Sequence, residues 1–433
     1  MFTLTTFKKV PAIVLFFAMS VALQAVDKKP SQLIDLEIEK HRDEILKTRR
    51  FIHMNPELSN REFETSKLIA AKLMSLGLDV QTEIAKTGVV ALLRGDQPGI
   101  TVGYRADMDA LPIQEQTNVP FKSLNPGVMH ACGHDIHMSV ALGTAMVMSA
   151  LKDHIGGNIK FIFQPAEEGA PAGEEGGASL MIKEGVLDDP PVRAIFGLHV
   201  MPLELGKIEF SSGAIMASSD RFVITIKGKS SHGAKPHEGK DAITMAAQVI
   251  MSIQTIVSRN LDATDPAVIS IGKIEGGVRS NIIADEVRLE GTVRTLSEMN
   301  QKKIQQLMED TVKGITHSFG ADYAFSYRRG SSPVYNHPQL AKIMIPTLHE
   351  VLGEGNVGKI NPQMVAEDFS AYCQKIPGFF FFLGVKPPEQ TTMAPLHSPL
   401  FNPDERSIFV GIKVMCHLLF DCLKHQSHIE NTS

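Results

Sequence analysis

Four cysteines in 433 residues are too few to brace the chain with disulfides, even in an oxidising compartment. No internal repeat, low-complexity tract or serine-nucleophile elbow is present, so an ordinary large globular chain is expected and acyl-serine chemistry is not. A charge bias is missing as well. The 43 basic and 48 acidic side chains leave a net charge of -5, which offers no electrostatic reason for nucleic acid or a membrane surface as partner. Small-molecule chemistry is the expectation. Nor is there an apolar run long enough to span a bilayer: the stretch from Val10 to Ala22 contains Pro11 and Ser20 and falls short of the roughly 20 residues required. Behind Lys8 and Lys9 it reads as a signal peptide over residues 1–25, cut after Ala22 or Ala25. Export to the periplasm or the medium is therefore expected, without stable membrane insertion after cleavage.

At this length one hydrophobic core is not enough, and two domains are expected. Apolar residues recur at helical spacing over 31–55 and 62–76, the second stretch closed by Gly77. Short runs rich in Val, Ile and Phe at 89–94, 100–104, 159–163 and 194–198 read as strands, interleaved with helices at 137–151 and 178–184. Alternation of this kind predicts an α/β sheet with helices on its faces. From about residue 218 the pattern becomes strand 221–227, helix 241–259, strands 267–274 and 284–294, helix 297–317 and strand 321–328. The order β-α-β-β-α-β closes on itself as a ferredoxin-like unit, which can sit as an insertion and return the chain to the first domain. A helix at 339–352, a strand at 379–383 and a helix at 404–424 complete that domain. The expected division is 30–216 with 330–428 as a discontinuous sheet domain, and 217–329 as the insertion.

Cys373, Cys416 and Cys422 sit among apolar neighbours and read as small buried residues, whereas Cys132 lies in the cluster His130-Ala131-Cys132-Gly133-His134-Asp135-Ile136-His137. Thiol and imidazole together suit zinc or a transition-metal ion. One closed structural zinc site made by the cluster alone is the alternative, but further ligands lie downstream. Glu167 and Glu168 follow the strand 159–163, His199 lies at the end of the next apolar run, and His397 stands in the proline-bracketed loop Pro395–Pro399. The carboxyl ends of strands in an open α/β sheet are where ligands bind. Thiolate, imidazole and carboxylate donors drawn from separate loops favour two ions over one. Paired ions lower the pKa of water and polarise a carbonyl, leaving a spare carboxylate as general base.

With Arg105–Pro112, His130–His137, Phe163–Gly169, Ser231–His237, Ser280–Ile283 and Leu396–Pro399 in order, the chain resembles the M20 metallopeptidase superfamily over about residues 38–420. Within it the chain is most similar to the amidohydrolase branch of hippurate hydrolases, N-acyl-amino-acid amidohydrolases and auxin-conjugate hydrolases. The resemblance implies that Cys132, His134, Glu168, His199 and His397 hold two divalent ions (manganese, zinc, cobalt or nickel), with Cys132 bridging and Glu167 as the base. Asp107 stands where many superfamily members have histidine, and Cys132 where they have a bridging aspartate, which points to the acyl-amino-acid branch rather than the dipeptidases. Asp109 would orient the site from behind, or merely cap its loop. His232, Asn281 and Arg294 would hold the substrate's oxygen and carboxylate, the histidine reaching in from a second subunit of a homodimer formed through the insertion. The implied reaction is hydrolysis of N-acyl amino acids to a carboxylic acid and a free amino acid. A carboxypeptidase or dipeptidase of the same superfamily is one alternative, and an exported binding protein on an inactive enzyme scaffold is another.

Overall fold

The computed structural model describes residues 30–430, and the expected signal peptide of residues 1–25 lies outside them. Among the described residues no helix is long and apolar enough to cross a membrane. The chain opens with helices α1 (Pro30–Met54) and α2 (Phe63–Ser75), continues through strands β1 (Asp79–Ile84), β2 (Gly88–Arg94) and β3 (Gln97–Asp107), and enters helix α3 (His134–Ala150). Strand β4 (Gly156–Gln164), helix α4 (Gly177–Lys183) and strands β5 (Val192–Glu204), β6 (Ile208–Phe210) and β7 (Gly213–Met216) follow. After the insertion come β14 (Val334–Asn336), α7 (Pro338–Leu352), β15 (Val357–Lys359), α8 (Ser370–Cys373), β16 (Gly378–Lys386), α9 (Arg406–Lys424) and α10 (Gln426–Glu430).

Eight of these strands form one mixed sheet in the order β1-β2-β4-β3-β5-β16-β6-β15. Its centre is parallel, β3 pairing with β4 and β5, and β5 with β16. Strand β16 explains why the sheet is buried on both sides: the run Phe379-Phe380-Phe381-Phe382 is fully buried. Alternation along a strand sends Phe379 and Phe381 to one face and Phe380 and Phe382 to the other, each into a different apolar cluster. Burying one such ring contributes about 1.5–3 kcal/mol. On the first face α1 presents Ile34, Ile38, Ile45 and Ile52 to α3, which is buried along nearly its whole length. That burial is why α3 carries Ala, Met and Val where a surface helix would carry charge.

The insertion contains β8 (Asp220–Lys227), a short β9 (Ser231–His232), α5 (Ala242–Asn260), β10 (Ala267–Gly276), a short β11 (Ile282–Ile283), β12 (Glu286–Thr295), α6 (Glu298–Ser318) and β13 (Asp322–Arg328). Its four long strands make a separate antiparallel sheet, ordered β10-β12-β8-β13. That order matches the expected ferredoxin-like unit. Asp241 caps α5 by accepting from the Ile243 and Thr244 amides, and Ser297 caps α6 by accepting from the Asn300 amide. Each such cap is worth about 1 kcal/mol. Phe222, Ile224, Ile226, Val249, Leu289 and Ile304 belong to its own core.

Two corrections bear on the site. The helix expected at 137–151 begins at His134, so His134 lies in its first turn with His137 instead of preceding it. Likewise His199 does not end its strand, because β5 runs on to Glu204. The ladder between β3 and β5 stops at Tyr104 opposite Phe196, while β5 continues along β16. His199 therefore stands at the level where β3 gives out, and the site forms beside an overhanging strand.

Candidate metal centre

Helix α3 supplies His134 from its first turn, and Gly133 before it adopts φ 88°, a left-handed turn that a side chain would strain. An added Cβ there would also meet Val200 Cγ2 at 2.4 Å. This close turn sets Cys132 against β5: its Sγ lies 3.3 Å from His199 Nε2. The loop carrying His397 is tied to the same segment by a backbone bond from the His397 amide to the Ala131 carbonyl at 2.9 Å. His397 Nε2 consequently lies 3.3 Å from Cys132 Sγ and 3.2 Å from Glu168 Oε1.

These atoms fall into two groups that share one residue. Cys132, His134 and His199 have donor atoms within 4.8 Å of one another, and so do Cys132, Glu168 and His397. The donors are aimed by bonds on their far sides. His134 Nδ1 donates to the Asp109 carbonyl at 2.8 Å and His199 Nδ1 donates to the Val200 carbonyl at 2.7 Å, so both Nε2 atoms face the cluster. His134 Nε2 is buried with no hydrogen-bond partner. A buried polar atom without a partner is rare, and this one belongs to the group around the shared thiol. The donor set of one thiol, three imidazoles and a carboxylate fits a pair of divalent ions.

Electrostatics point the same way. Burial, reinforced by the Glu168 and Glu167 carboxylates, pushes the Cys132 thiol well above its usual range. Burial favours a neutral His134 ring, yet Asp107 and Asp109 outweigh it and raise the imidazole to about 10. Burial and neighbouring His137 hold His199 well below its usual value, whereas a hydrogen bond to Glu168 raises His397. The pocket thus concentrates negative charge around a thiol, and positive ions there would balance it.

Glu167 stands at the edge of this pairing, its carboxylate within 4.8 Å of donor atoms of both His134 and Glu168. Its Oε2 is 3.9 Å from His134 Nε2, and its carboxylate groups with Glu367 and Asp368. Burial, then Glu367 and Asp368, raise its carboxyl well above the usual range. The two neighbouring glutamates diverge because Ala166 before them has φ 55°. That left-handed residue is held by Glu62, which accepts from the Ala166 amide at 3.0 Å and from Thr87 Oγ1 at 2.6 Å. Asp109 fixes the next two amides, its Oδ1 accepting from Glu167 at 3.1 Å and its Oδ2 from Glu168 at 3.0 Å.

Sequence reasoning gave no role to several supporting residues. His137 uses both ring nitrogens, Nδ1 donating to Asp107 Oδ1 at 2.7 Å and Nε2 accepting from the Val200 amide at 2.9 Å, which leaves no lone pair for an ion. Arg105 is buried and donates to Gln164, Asp107 and Asp368 at 2.9, 2.7 and 2.7 Å, with Glu367 at 3.0 Å. Asp135 binds His53 Nδ1 at 2.7 Å and Arg49 Nε at 3.0 Å. The one available signal was a charged Arg105 inside an otherwise apolar strand, since buried charge needs partners.

The three residues expected to hold substrate all lie in the insertion. His232 and Asn281 meet on the exposed ribbon of β9 and β11, where the Gly233 amide donates to the Asn281 carbonyl at 2.8 Å. Arg294 lies on β12, half-buried, with Nη1 lacking a hydrogen-bond partner. Among the described residues no hydrogen bond or ion pair joins these three to the Cys132 cluster.

A helix-flanked mixed sheet with a ferredoxin-like insertion, holding a thiol shared by two ligand groups and a spare buried carboxylate, defines a metal-dependent amidohydrolase. The chain belongs to Peptidase family M20/M25/M40, whose profile matches residues 103–421. An N-acyl-L-amino acid amidohydrolase of Geobacillus stearothermophilus is 45% identical over 303 residues, 70% of this chain and 80% of that protein. Thermostable carboxypeptidase 2 of Saccharolobus solfataricus is 40% identical over 378 residues, 87% of this chain and 94% of that protein. Among solved structures, the YXEP protein of Bacillus subtilis, described as a dinuclear metal binding peptidase from the M20 family, superposes with a TM-score of 0.76. It is 35% identical, covering 89% of this chain and 99% of that one.

Proposed function

We propose that the chain hydrolyses the amide bond of N-acyl amino acids, releasing a carboxylic acid and a free amino acid. The observation that carries this reading is Cys132 shared between two donor groups with Glu167 beside them and outside both. In this reading Cys132, His134 and His199 hold one divalent ion and Cys132, Glu168 and His397 the other, with manganese, zinc, cobalt or nickel as candidates. Such ions supply Lewis acidity toward the amide carbonyl and make water nucleophilic near neutral pH. Glu167 accepts a proton from the attacking water as the C–O bond forms, then delivers it to the nitrogen as the C–N bond breaks. Its raised carboxyl suits the second half of that exchange, delivery of the proton, and divalent ions beside it would favour the ionised form that the first half needs. Asp109 keeps the Glu167 and Glu168 backbone in place throughout.

His232 and Asn281 are assigned to the substrate's oxygen and Arg294 to its carboxylate, with the insertion closing over the ions and pairing two chains as a homodimer. Export remains part of the proposal on the strength of residues 1–25. The carboxypeptidase among the relatives favours a second reading, cleavage of peptides by the same machinery. A screen of N-acetyl, N-benzoyl and indoleacetyl amino acids against dipeptides, with metal analysis of the same sample, separates the two. Turnover of acyl amino acids well above dipeptides is expected, and the reverse order would replace this reading with the peptidase.

A further inference from the structure

The sheet of the insertion packs one face against α5 and α6 and leaves the other open, and the open face is divided by charge. Toward its middle the charges are matched: Lys273 meets Glu275 and Glu290 at 2.8 and 3.2 Å, and Arg288 meets Glu290 at 3.4 Å. At one end they are not. Arg328 of β13 stands directly opposite Arg221 of β8, which in turn stands opposite Thr292 of β12, and Arg294 follows Thr292 on the same face. Alternation sends all three arginines away from Phe222 and Val293, which belong to the core. Among the described residues none of the three has an ion pair or a side-chain hydrogen bond. Like charges directly opposite one another weaken a strand pair, so a row of three on consecutive strands calls for an anion. Arg294 Nη1 is buried without a partner. Burial shifts the Arg294 guanidinium down from its ordinary value, with Asp220 opposing and Arg221 adding to the shift. Asp220 itself lies on the other face and is engaged by Gln301, Tyr327 and the Gly330 amide.

The arginine end is the end at which the insertion joins the sheet domain. There the Ser218 amide donates to the Thr295 carbonyl and the Ser219 amide to the Ser331 carbonyl, each at 2.9 Å. The Ala217 amide donates to the Val365 carbonyl at 2.8 Å, on the segment that leads into Glu367, whose carboxylate groups with Glu167. Guanidinium groups are planar forks that match a carboxylate two bonds at a time, and they keep their charge at any working pH. One carboxylate answers Arg294 and leaves the opposed Arg221 and Arg328 unbalanced. A second carboxylate balances that pair.

We propose that Arg221, Arg294 and Arg328 form a site for two carboxylates and that the amino-acid half of the substrate is dicarboxylic. Arg294 takes the carboxylate already assigned to it, and the Arg221–Arg328 pair takes the second. The proposal rests on the acyl-amino-acid reading above. Two measurements on metal-replete enzyme test it. The first is the kcat/KM ratio of N-acetylglutamate to N-acetylglutamine, which differ only in whether the second group is a carboxylate or a carboxamide. Wild-type enzyme is expected to favour N-acetylglutamate about tenfold or more, the worth of one charge-assisted contact. Arg221→Gln or Arg328→Gln should bring the ratio close to one. Arg328→Lys should keep part of the preference, and Arg288→Gln, in the paired part of the face, should leave the ratio at its wild-type value. The second measurement is calorimetric binding of glutarate, which the double variant Arg221→Gln, Arg328→Gln should weaken about tenfold or more. A wild-type ratio at or below one, or a ratio unchanged in the double variant, would overturn the dicarboxylic substrate while leaving the hydrolase intact. Glutarate binding equal in wild type and double variant would overturn the arginine site itself. A wild-type enzyme that hydrolyses neither compound, nor N-acetyl derivatives of neutral amino acids, would overturn the underlying reading instead, with glutarate binding then deciding the site.

Discussion

Glu167 and Glu168 are adjacent in sequence, but the left-handed turn at Ala166 and the grip of Asp109 on both amides send them to different neighbours. Glu168 meets His397 and Cys132, while Glu167 faces His134 on one side and the Glu367–Asp368 pair on the other. A residue that moves protons and a residue that holds ions respond differently to loss of charge. Glu167→Gln should cut kcat by about 10²–10⁴, the usual worth of a general base, with metal content unchanged. Mass spectrometry of the metal-loaded variant checks this. Metal lost from Glu167→Gln and retained in Glu168→Gln would exchange the two roles.

Helix α3 shows how an element transmits packing into chemistry. Its buried face fixes it between α1 and α9, and its first turn delivers His134 to the site. Asp135 anchors that turn: burial opposes its ionisation, but Arg49 and His53 overcome this and hold its carboxyl far below the usual range. A carboxyl whose pKa is depressed by folding contributes stability that is full above the unfolded value near 4 and lost as the pH falls below it. Asp135→Asn should therefore destabilise the protein at neutral pH by about 3–5 kcal/mol, since Arg49 is left buried without its partner. It should also flatten the loss of stability below about pH 4. Denaturant melts of both proteins at pH 7 and pH 3 measure the two effects, and parallel pH dependences would remove Asp135 from the account.

The elements legible in the sequence were those with long periodic faces, such as α5, α6 and the apolar strands β2, β4 and β16. Missed strands are short or polar. β1 has the sequence DVQTEI and is largely exposed, and β6, β9, β11 and β15 have two or three residues each. Pairing in such segments is set by their neighbours and leaves no pattern of its own. The same division holds in the site. Cys132 and His134 were readable because ligand-like residues crowd eight positions, whereas the contacts of Arg105 with Asp368 and of His53 with Asp135 join residues 263 and 82 positions apart. No local spacing encodes those.

For the molecule as a whole the insertion carries its own core, so it can move as a body against the sheet domain. Asp220 anchors one crossing, accepting from Gln301 and Tyr327 at 2.7 Å each and from the Gly330 amide at 3.1 Å. If His232 serves the partner's ions, His232→Ala and Glu167→Gln should complement each other in mixed dimers. Half of randomly assorted dimers are mixed and each has one intact site of two, so recovery approaches about a quarter of wild-type activity. Activity at the parental level after proven subunit exchange would confine His232 to its own chain.

The most direct test of the central claim is a titration of metal-free protein with manganese or zinc, following bound metal and N-acyl amino acid hydrolysis together. Two shared donor groups predict two ions bound per chain, with hydrolysis reaching its maximum only as the second binds. Cys132→Ser should lose at least one ion and most of the activity, because a hydroxyl is a far poorer bridge than a thiolate. Full activity at one ion per chain, or a Cys132→Ser protein that keeps both ions and full turnover, would contradict the account.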